Sequence, residues 1–133
     1  MISAVADTHA ALWHLFGDPR LSKSAVDFID RSAALRRRIV VSSVSLAEIV
    51  YLVEKGRLPA SAYDDLTSAL SDPSHGLKEA PFTIEIVDAM RKIPRAAVPD
   101  MPDRMVAATA LYFGVPVISR DHRIQSSAVQ TIW

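Results

Sequence analysis

Residues 2–16 have the sequence ISAVADTHAALWHLF, in which a short apolar run leads through one aspartate into a mostly apolar segment. The run from Ile2 to Ala6 has no strongly polar break, which is typical of a strand buried on both faces. A helix is expected over residues 10–16, because the Gly-Asp-Pro sequence at 17–19 provides a stop signal directly after it. Asp7 therefore lies between a buried strand and a helix.

The same alternation of strand and helix patterns continues along the chain. Further helices are expected over about 22–36, 44–53, 60–70, 84–90 and 105–112, and further strands over 39–41, 77–80, 115–119 and 129–133. Strands that alternate with helices imply parallel strands joined by crossover helices. The sequence thus predicts an α/β fold, a three-layer α/β/α domain with a central parallel sheet of four or five strands, covering residues 1–133 as a single domain.

The composition excludes several classes of protein. With 133 residues, 50% of them apolar, the chain has the size of one ordinary globular domain, and its lack of cysteine excludes disulfides, thiolate nucleophiles and cysteine-based zinc sites. A net charge of zero argues against a nonspecific nucleic-acid coat protein. No basic leader and no run of about 18 apolar residues is found, so we expect a cytoplasmic protein without a membrane partner.

Carboxylates are the candidate chemical groups. Asp7 and Asp121 each follow a buried strand, and ligands of open α/β sheets bind beyond the carboxyl ends of the strands. A helix cap is the alternative role for Asp7, and a turn or cap for Asp121. Glu48 lies on or beside the apolar stripe of its helix, where its charge needs either a buried arginine or a metal ion.

The start of the last long helix contains a second acidic pair. Asp100 and Asp103 stand three residues apart around Pro102, so we expect Asp100 to cap the helix and Asp103 to lie in its first turn. Convergence of Asp103 with Asp7, Glu48 and Asp121 at one edge of the sheet would cause strong repulsion unless a divalent cation neutralised it. Oxygen ligands of this kind suit Mg²⁺ or Mn²⁺.

Four short segments carry a resemblance to a known family. These are DTHAALW at 7–13, SVSLAEI at 43–49, DRMVAATA at 103–110 and VISRD at 117–121. Together they resemble the PIN-domain family, specifically the VapC-type toxins, and the similarity extends to the TIW sequence at 131–133. Each segment is short, but their order along the whole chain is specific.

The resemblance implies a metal-dependent endoribonuclease that acts as the toxin of a type II toxin–antitoxin pair, forms a homodimer and is silenced by a cognate antitoxin. The acidic site of that family falls on Asp7, Glu48, Asp103 and Asp121, with hydroxyl support from Ser119 or Thr8. Asp7 and Asp103 are then expected to bind the principal Mg²⁺ (or Mn²⁺), Asp121 to place a second ion or the attacking water, and Glu48 to act as a ligand or an outer acceptor. The RNA products expected are a 5′-phosphate and a 3′-hydroxyl.

Two alternatives to this hypothesis come from other classes of protein. One is a PIN-like module that binds RNA or protein without cutting, its carboxylates acting as caps and ion pairs. The other is a phosphate-receiver or phosphatase domain, which the sequence disfavours because His9 stands where the second aspartate of an Asp-x-Asp start would be.

Basic, imidazole and aromatic side chains are less informative. Arg120 and Arg123 flank Asp121 and are candidates for phosphate contacts, extended by 36–38, 91–92 and 95, although a solvated basic surface explains them equally well. Of the histidines, only His122 is expected near the site. The helical spacing favours core positions for four aromatic side chains, namely Trp13, Phe16, Tyr51 and Tyr63.

Overall fold

Five strands form one parallel sheet in the computed structural model, which describes residues 1–125 and 129–133 apart from the side chains of His122 and Gln125. The strands are β1 (Ile2–Ala6), β2 (Arg38–Ser42), β3 (Leu77–Ala80), β4 (Val117–Ile118) and β5 (Thr131–Ile132). Their order across the sheet is β3-β2-β1-β4-β5, so the order reverses between β1 and β4. The predicted parallel sheet is confirmed.

Helices cover both faces of this sheet. They are α1 (Thr8–Phe16), α2 (Lys23–Ala34), α3 (Ser43–Glu54), α4 (Ser61–Ser71), α5 (Ile84–Met90), α6 (Met101–Phe113) and α7 (His122–Gln125). On one face, side chains of helices α1, α2, α3 and α4 pack against alternate strand residues such as Ala6 and Val41. On the other face, side chains of α5, α6 and α7 pack against the intervening strand residues, such as Val5 and Val40. Because adjacent strand residues point to opposite faces, this alternation produces the three predicted layers.

Local capping chemistry determines where the helices begin and end. Ser22 accepts a hydrogen bond from the Ala25 N–H, and Asp100 accepts one from the Asp103 N–H at 3.1 Å, as the acidic pair predicts for α6. Thr83 precedes α5 but makes no side-chain cap hydrogen bond. Gly114 ends α6 with φ of 67°, a left-handed conformation that glycine adopts without steric cost.

Several element boundaries differ from the predictions. The long helix α6 begins at Met101, directly after its cap Asp100, as the acidic pair predicts, although the apolar pattern alone begins only at Met105. Strand β4 is shorter than 115–119 and β5 is shorter than 129–133, and the sequence did not predict α7. A four-residue helix is too short to give a periodic signal.

The aromatic side chains divide differently from the prediction. Trp13, which belongs to α1, is buried in the core as predicted. Phe16, Tyr51 and Tyr63 are exposed, so the prediction that they are core residues was wrong. Their helices bury other positions, such as Leu12, and direct these rings outwards. In the described ranges, no helix has both the length and the apolar character needed to cross a membrane.

Candidate functional site

The carboxyl ends of β1, β2 and β4 lie side by side. Ala6 pairs with Val41 on one side and with Ile118 on the other, and the Asp7 N–H donates to the Ile118 carbonyl at 3.1 Å. The residues that follow the paired positions are therefore neighbours at one edge of the sheet. This edge includes the point where the strand order reverses, which is where ligands bind in open α/β folds.

A cleft of about 550 Å³ opens at this edge. Its lining includes all four carboxylates predicted from the sequence, namely Asp7, Glu48, Asp103 and Asp121. They come from the end of β1, the second turn of α3, the first turn of α6 and the segment after β4. The fold thus brings together side chains that are separated by up to 114 positions in the chain.

Asp7 has a structural contact as well as a place in the cleft. Its Oδ1 accepts a hydrogen bond from the Ala10 N–H at 2.9 Å and so caps α1. Burial raises the pKa of Asp7, while hydrogen bonds from the Ser119 hydroxyl and the Ala10 amide oppose that rise. The capping alternative is therefore correct, and it leaves the carboxylate facing the cleft.

Asp103 and Asp121 interact directly across the cleft. Burial raises the pKa of Asp103 to about 7, and its hydrogen bond with Asp121 and the negative charges of Asp100, Asp121 and Asp7 act in the same direction. Asp121 also accepts a hydrogen bond from the Arg123 N–H at 2.9 Å, and its own N–H donates to the Ser119 hydroxyl at 2.9 Å. With a pKa of about 7, Asp103 keeps its proton below neutral pH and can donate it in the hydrogen bond to Asp121.

Glu48 has a hydroxyl partner where the sequence left open an arginine or a metal. Its Oε1 accepts a hydrogen bond from the Thr8 hydroxyl at 2.5 Å, and Thr8 Oγ1 lies 2.9 Å from the buried Ser45 hydroxyl. No ion pair between described side chains includes Glu48. Of the two alternatives, the buried arginine partner is therefore wrong for the described part of the chain.

The donor set of the cleft fits a hard divalent cation. The four predicted side chains offer oxygen only, and burial together with their negative charges raises the pKa of Asp103. Within the described residues, however, no three acidic, histidine or cysteine side chains form a preassembled metal cage. This open arrangement suits Mg²⁺, which keeps several of its waters and binds through one or two carboxylates.

Few basic side chains reach the cleft. Arg120 and Arg123 line it, but Arg91 and Lys92 line a separate hollow beside α5, so the wider basic track is not continuous with the site. His9 also lines the cleft, and the expectation that only His122 lies near it was wrong. The side chain of His122 lies outside the described residues.

Comparison with protein families identifies the class to which the fold and the acidic cleft belong. The PIN domain profile matches residues 4–129. The chain therefore belongs to the PIN-domain family, and the resemblance found in the sequence is confirmed.

The chain is also similar to individual proteins of known name or structure. The chain is 25% identical over 126 residues to Ribonuclease VapC22 of Mycobacterium tuberculosis, an alignment that covers 95% of this chain and 92% of the relative. Two solved structures share the fold. One is VapBC2 from Rickettsia felis bound to a promoter DNA fragment (TM-score 0.71, 16% identity, 100% of both chains), and the other is a toxin–antitoxin complex from Klebsiella pneumoniae (TM-score 0.65, 19% identity, 98% and 97%).

Sequence reasoning missed two structural features around the site. Arg104 follows Asp103, and its guanidinium donates to the carbonyls of Ile93 and Met90, which ties α6 to the end of α5. Trp13 lies within 5.0 Å of two arginine side chains. The partners lie on different segments, between 7 and 107 positions apart in the chain, so neither contact has a periodic sequence signal.

Proposed function

We propose that residues 1–133 form one metal-dependent endoribonuclease domain, acting as the toxin of a type II toxin–antitoxin pair. The observation that carries the proposal is the convergence of four carboxylates in one cleft at the point where the strand order of the sheet reverses. The family membership and the ribonuclease name of the VapC22 relative support it. Both neighbouring structures carry toxin–antitoxin or VapBC names, which supports a cognate antitoxin as a partner.

The proposed chemistry is hydrolysis of an RNA phosphodiester to a 5′-phosphate and a 3′-hydroxyl. A bound Mg²⁺ (or Mn²⁺) supplies charge relief at the attacked phosphate and lowers the pKa of water. Asp7 and Asp103 are the proposed ligands of the principal ion, since both face the cleft and are linked electrostatically. Asp121 places a second ion or accepts a proton from the attacking water.

Glu48 is held for this role by hydroxyl groups. The Thr8 hydroxyl, fixed by Ser45, donates to the carboxylate and leaves its remaining lone pairs for a ligand or for an ordered water.

We propose the cytoplasm as the site of action and a second copy of the chain as a further partner. Exposed apolar side chains on α3 and α4, such as Tyr51 and Tyr63, provide surface for protein contacts.

The experiment that tests this function is cleavage of a panel of structured RNAs by purified protein freed of any partner. Reactions with Mg²⁺, with Mn²⁺ and with EDTA should show cutting that depends on the cation, and the ends should carry a 5′-phosphate. Folded protein that neither cuts RNA nor binds Mn²⁺ in calorimetry would instead support the non-catalytic binding module.

Thr8→Val should reduce RNA cleavage about 10- to 100-fold, because valine keeps the shape of threonine but cannot orient Glu48. It should also lower the free energy of unfolding by about 1–3 kcal/mol, since the buried Ser45 hydroxyl loses its partner. Single-turnover cleavage rates and thermal unfolding measure the two effects. Thr8→Ser restores the hydroxyl and should recover most of the rate, and equal rates for Thr8→Val and the native protein would remove Thr8 from the site.

A further inference from the structure

Trp13 forms the centre of a cluster at the rim of the acidic cleft. Arg20 Cζ and Arg120 Cζ each lie 5.0 Å from its ring centroid, and the Trp133 ring lies 5.8 Å away at an angle of 54°. Trp13 itself is only 7% exposed. A ring this well covered has no open face on which an RNA base could stack, so the accessible group of the cluster is cationic.

The two arginines that contact Trp13 differ in their ion pairing. The Arg20 guanidinium binds Asp18 through two hydrogen bonds of 3.1 and 2.8 Å, so its charge is already neutralised. The exposed Arg120 side chain forms no ion pair or hydrogen bond with a described residue, although five carboxylates line the same cleft. Arg120 therefore retains its full charge beside the proposed site.

We propose that Arg120 binds a phosphate of the RNA chain next to the phosphate that is cut, and that Trp13 positions it. This inference rests on the proposed ribonuclease function. A guanidinium presents planar donors that match phosphate oxygens, and RNA carries further phosphates on either side of the reacting one. A ligand that enters the acidic cleft therefore meets Arg120 at its rim.

Contact with Trp13 also prepares Arg120 for binding. A free arginine side chain loses rotamer freedom when it is immobilised by a ligand, whereas one held over an aromatic ring has lost part of that freedom already. The guanidinium lies over the Trp13 ring and forms no ion pair with Asp121, the next residue in the chain. The positioning role of Trp13 acts only through Arg120.

The chain provides a matched control for a test of Arg120. Arg120→Ala should raise the KM for RNA cleavage roughly tenfold and keep kcat within about twofold of the native value. The control Arg20→Ala loses an equivalent contact with the same ring and should leave KM unchanged. The logarithmic salt dependence of binding should fall by about 0.7 in Arg120→Ala alone, as expected for one lost phosphate contact on a single strand. Arg120→Lys should give an intermediate KM.

A double-mutant cycle tests the positioning role of Trp13. Trp13→Phe should raise KM in the native background but not in Arg120→Ala, whereas a purely structural role would have the same effect in both backgrounds. Thermal unfolding of each variant separates lost stability from lost binding. Equal KM values and salt slopes for Arg120→Ala and Arg20→Ala would overturn the proposal.

Binding measured without catalysis keeps this inference distinct from the proposed function. The probe is a short unstructured RNA carrying fluorescein, titrated by anisotropy with Asp103→Asn protein that carries either Arg120→Ala or Arg20→Ala. Weaker binding only with Arg120→Ala supports the inference even if the native protein fails to cut RNA, a failure that would overturn only the nuclease proposal. Cleavage by the native protein with equal binding by both variants would overturn the role of Arg120 and leave the nuclease function standing.

Discussion

Asp103→Asn should abolish RNA cleavage, by about 10²- to 10³-fold or more, and at the same time stabilise the metal-free protein at about pH 8. The activity is lost because an amide cannot replace a carboxylate as a ligand of a hard cation. Stability rises because asparagine removes a negative charge from a cleft that already contains four other carboxylates. Its amide can still donate to Asp121, as the protonated Asp103 does.

The pKa of Asp103 determines the sign of the stability change. Because the pKa in the folded protein is raised to about 7, the neutral form favours folding, and this contribution is lost as the pH rises through about 7. The side chain is partly exposed, so about 1–2 kcal/mol is expected at about pH 8, corresponding to a rise in Tm of roughly 3–6 °C. The variant and the native protein should approach the same Tm only at about pH 4 and below, where Asp103 is protonated in the unfolded chain as well as in the folded one.

Asp100→Asn is the matched control for this prediction. Asparagine caps a helix as well as aspartate does, so the hydrogen bond to the Asp103 N–H is kept and cleavage should stay within about threefold of the native rate. Cleavage assays and thermal unfolding with EDTA at the two pH values provide the measurements. A destabilised Asp103→Asn protein at about pH 8, or one that cuts RNA at the native rate, would contradict the assigned role.

The sequence was informative about this site wherever a local signal existed. Asp7 could be predicted as a site residue because a buried strand and a helix start both have recognisable patterns within a few residues of it. Asp103 could be predicted because its helix begins with a cap residue and a proline. The parallel sheet then implied that the ends of β1 and β4 are neighbours, which the pairing of Ala6 with Ile118 confirms.

What the sequence could not supply is the identity of the partners. The position of Glu48 on an apolar stripe showed that its charge needs a partner, and an arginine was an equally suitable partner as far as the sequence could show. The actual hydroxyl donor, Thr8, lies 40 positions earlier on another helix. The hydrogen bond between Asp103 and Asp121 and the contact of Arg120 with Trp13 likewise depend on packing across the sheet. Such contacts have no periodicity, because they are created only when the layers assemble.

Affinity for Mn²⁺ should fall about tenfold between about pH 8 and pH 6, because the cation has to displace the proton that Asp103 carries below a pKa of about 7. Below the Asp103 pKa of about 7, nearly one proton is released for each ion bound, whereas at about pH 8 Asp103 is already ionised and almost none is released. Calorimetric titration in two buffers of different ionisation enthalpy measures both the affinity and the number of protons. Glu48→Gln leaves the Asp103 and Asp121 pair intact, so it should bind Mn²⁺ more weakly with the same pH dependence. Affinity that is independent of pH in the native protein would mean that the cation binds away from this pair, and Asp7 and Glu48 would then be left as its carboxylate ligands.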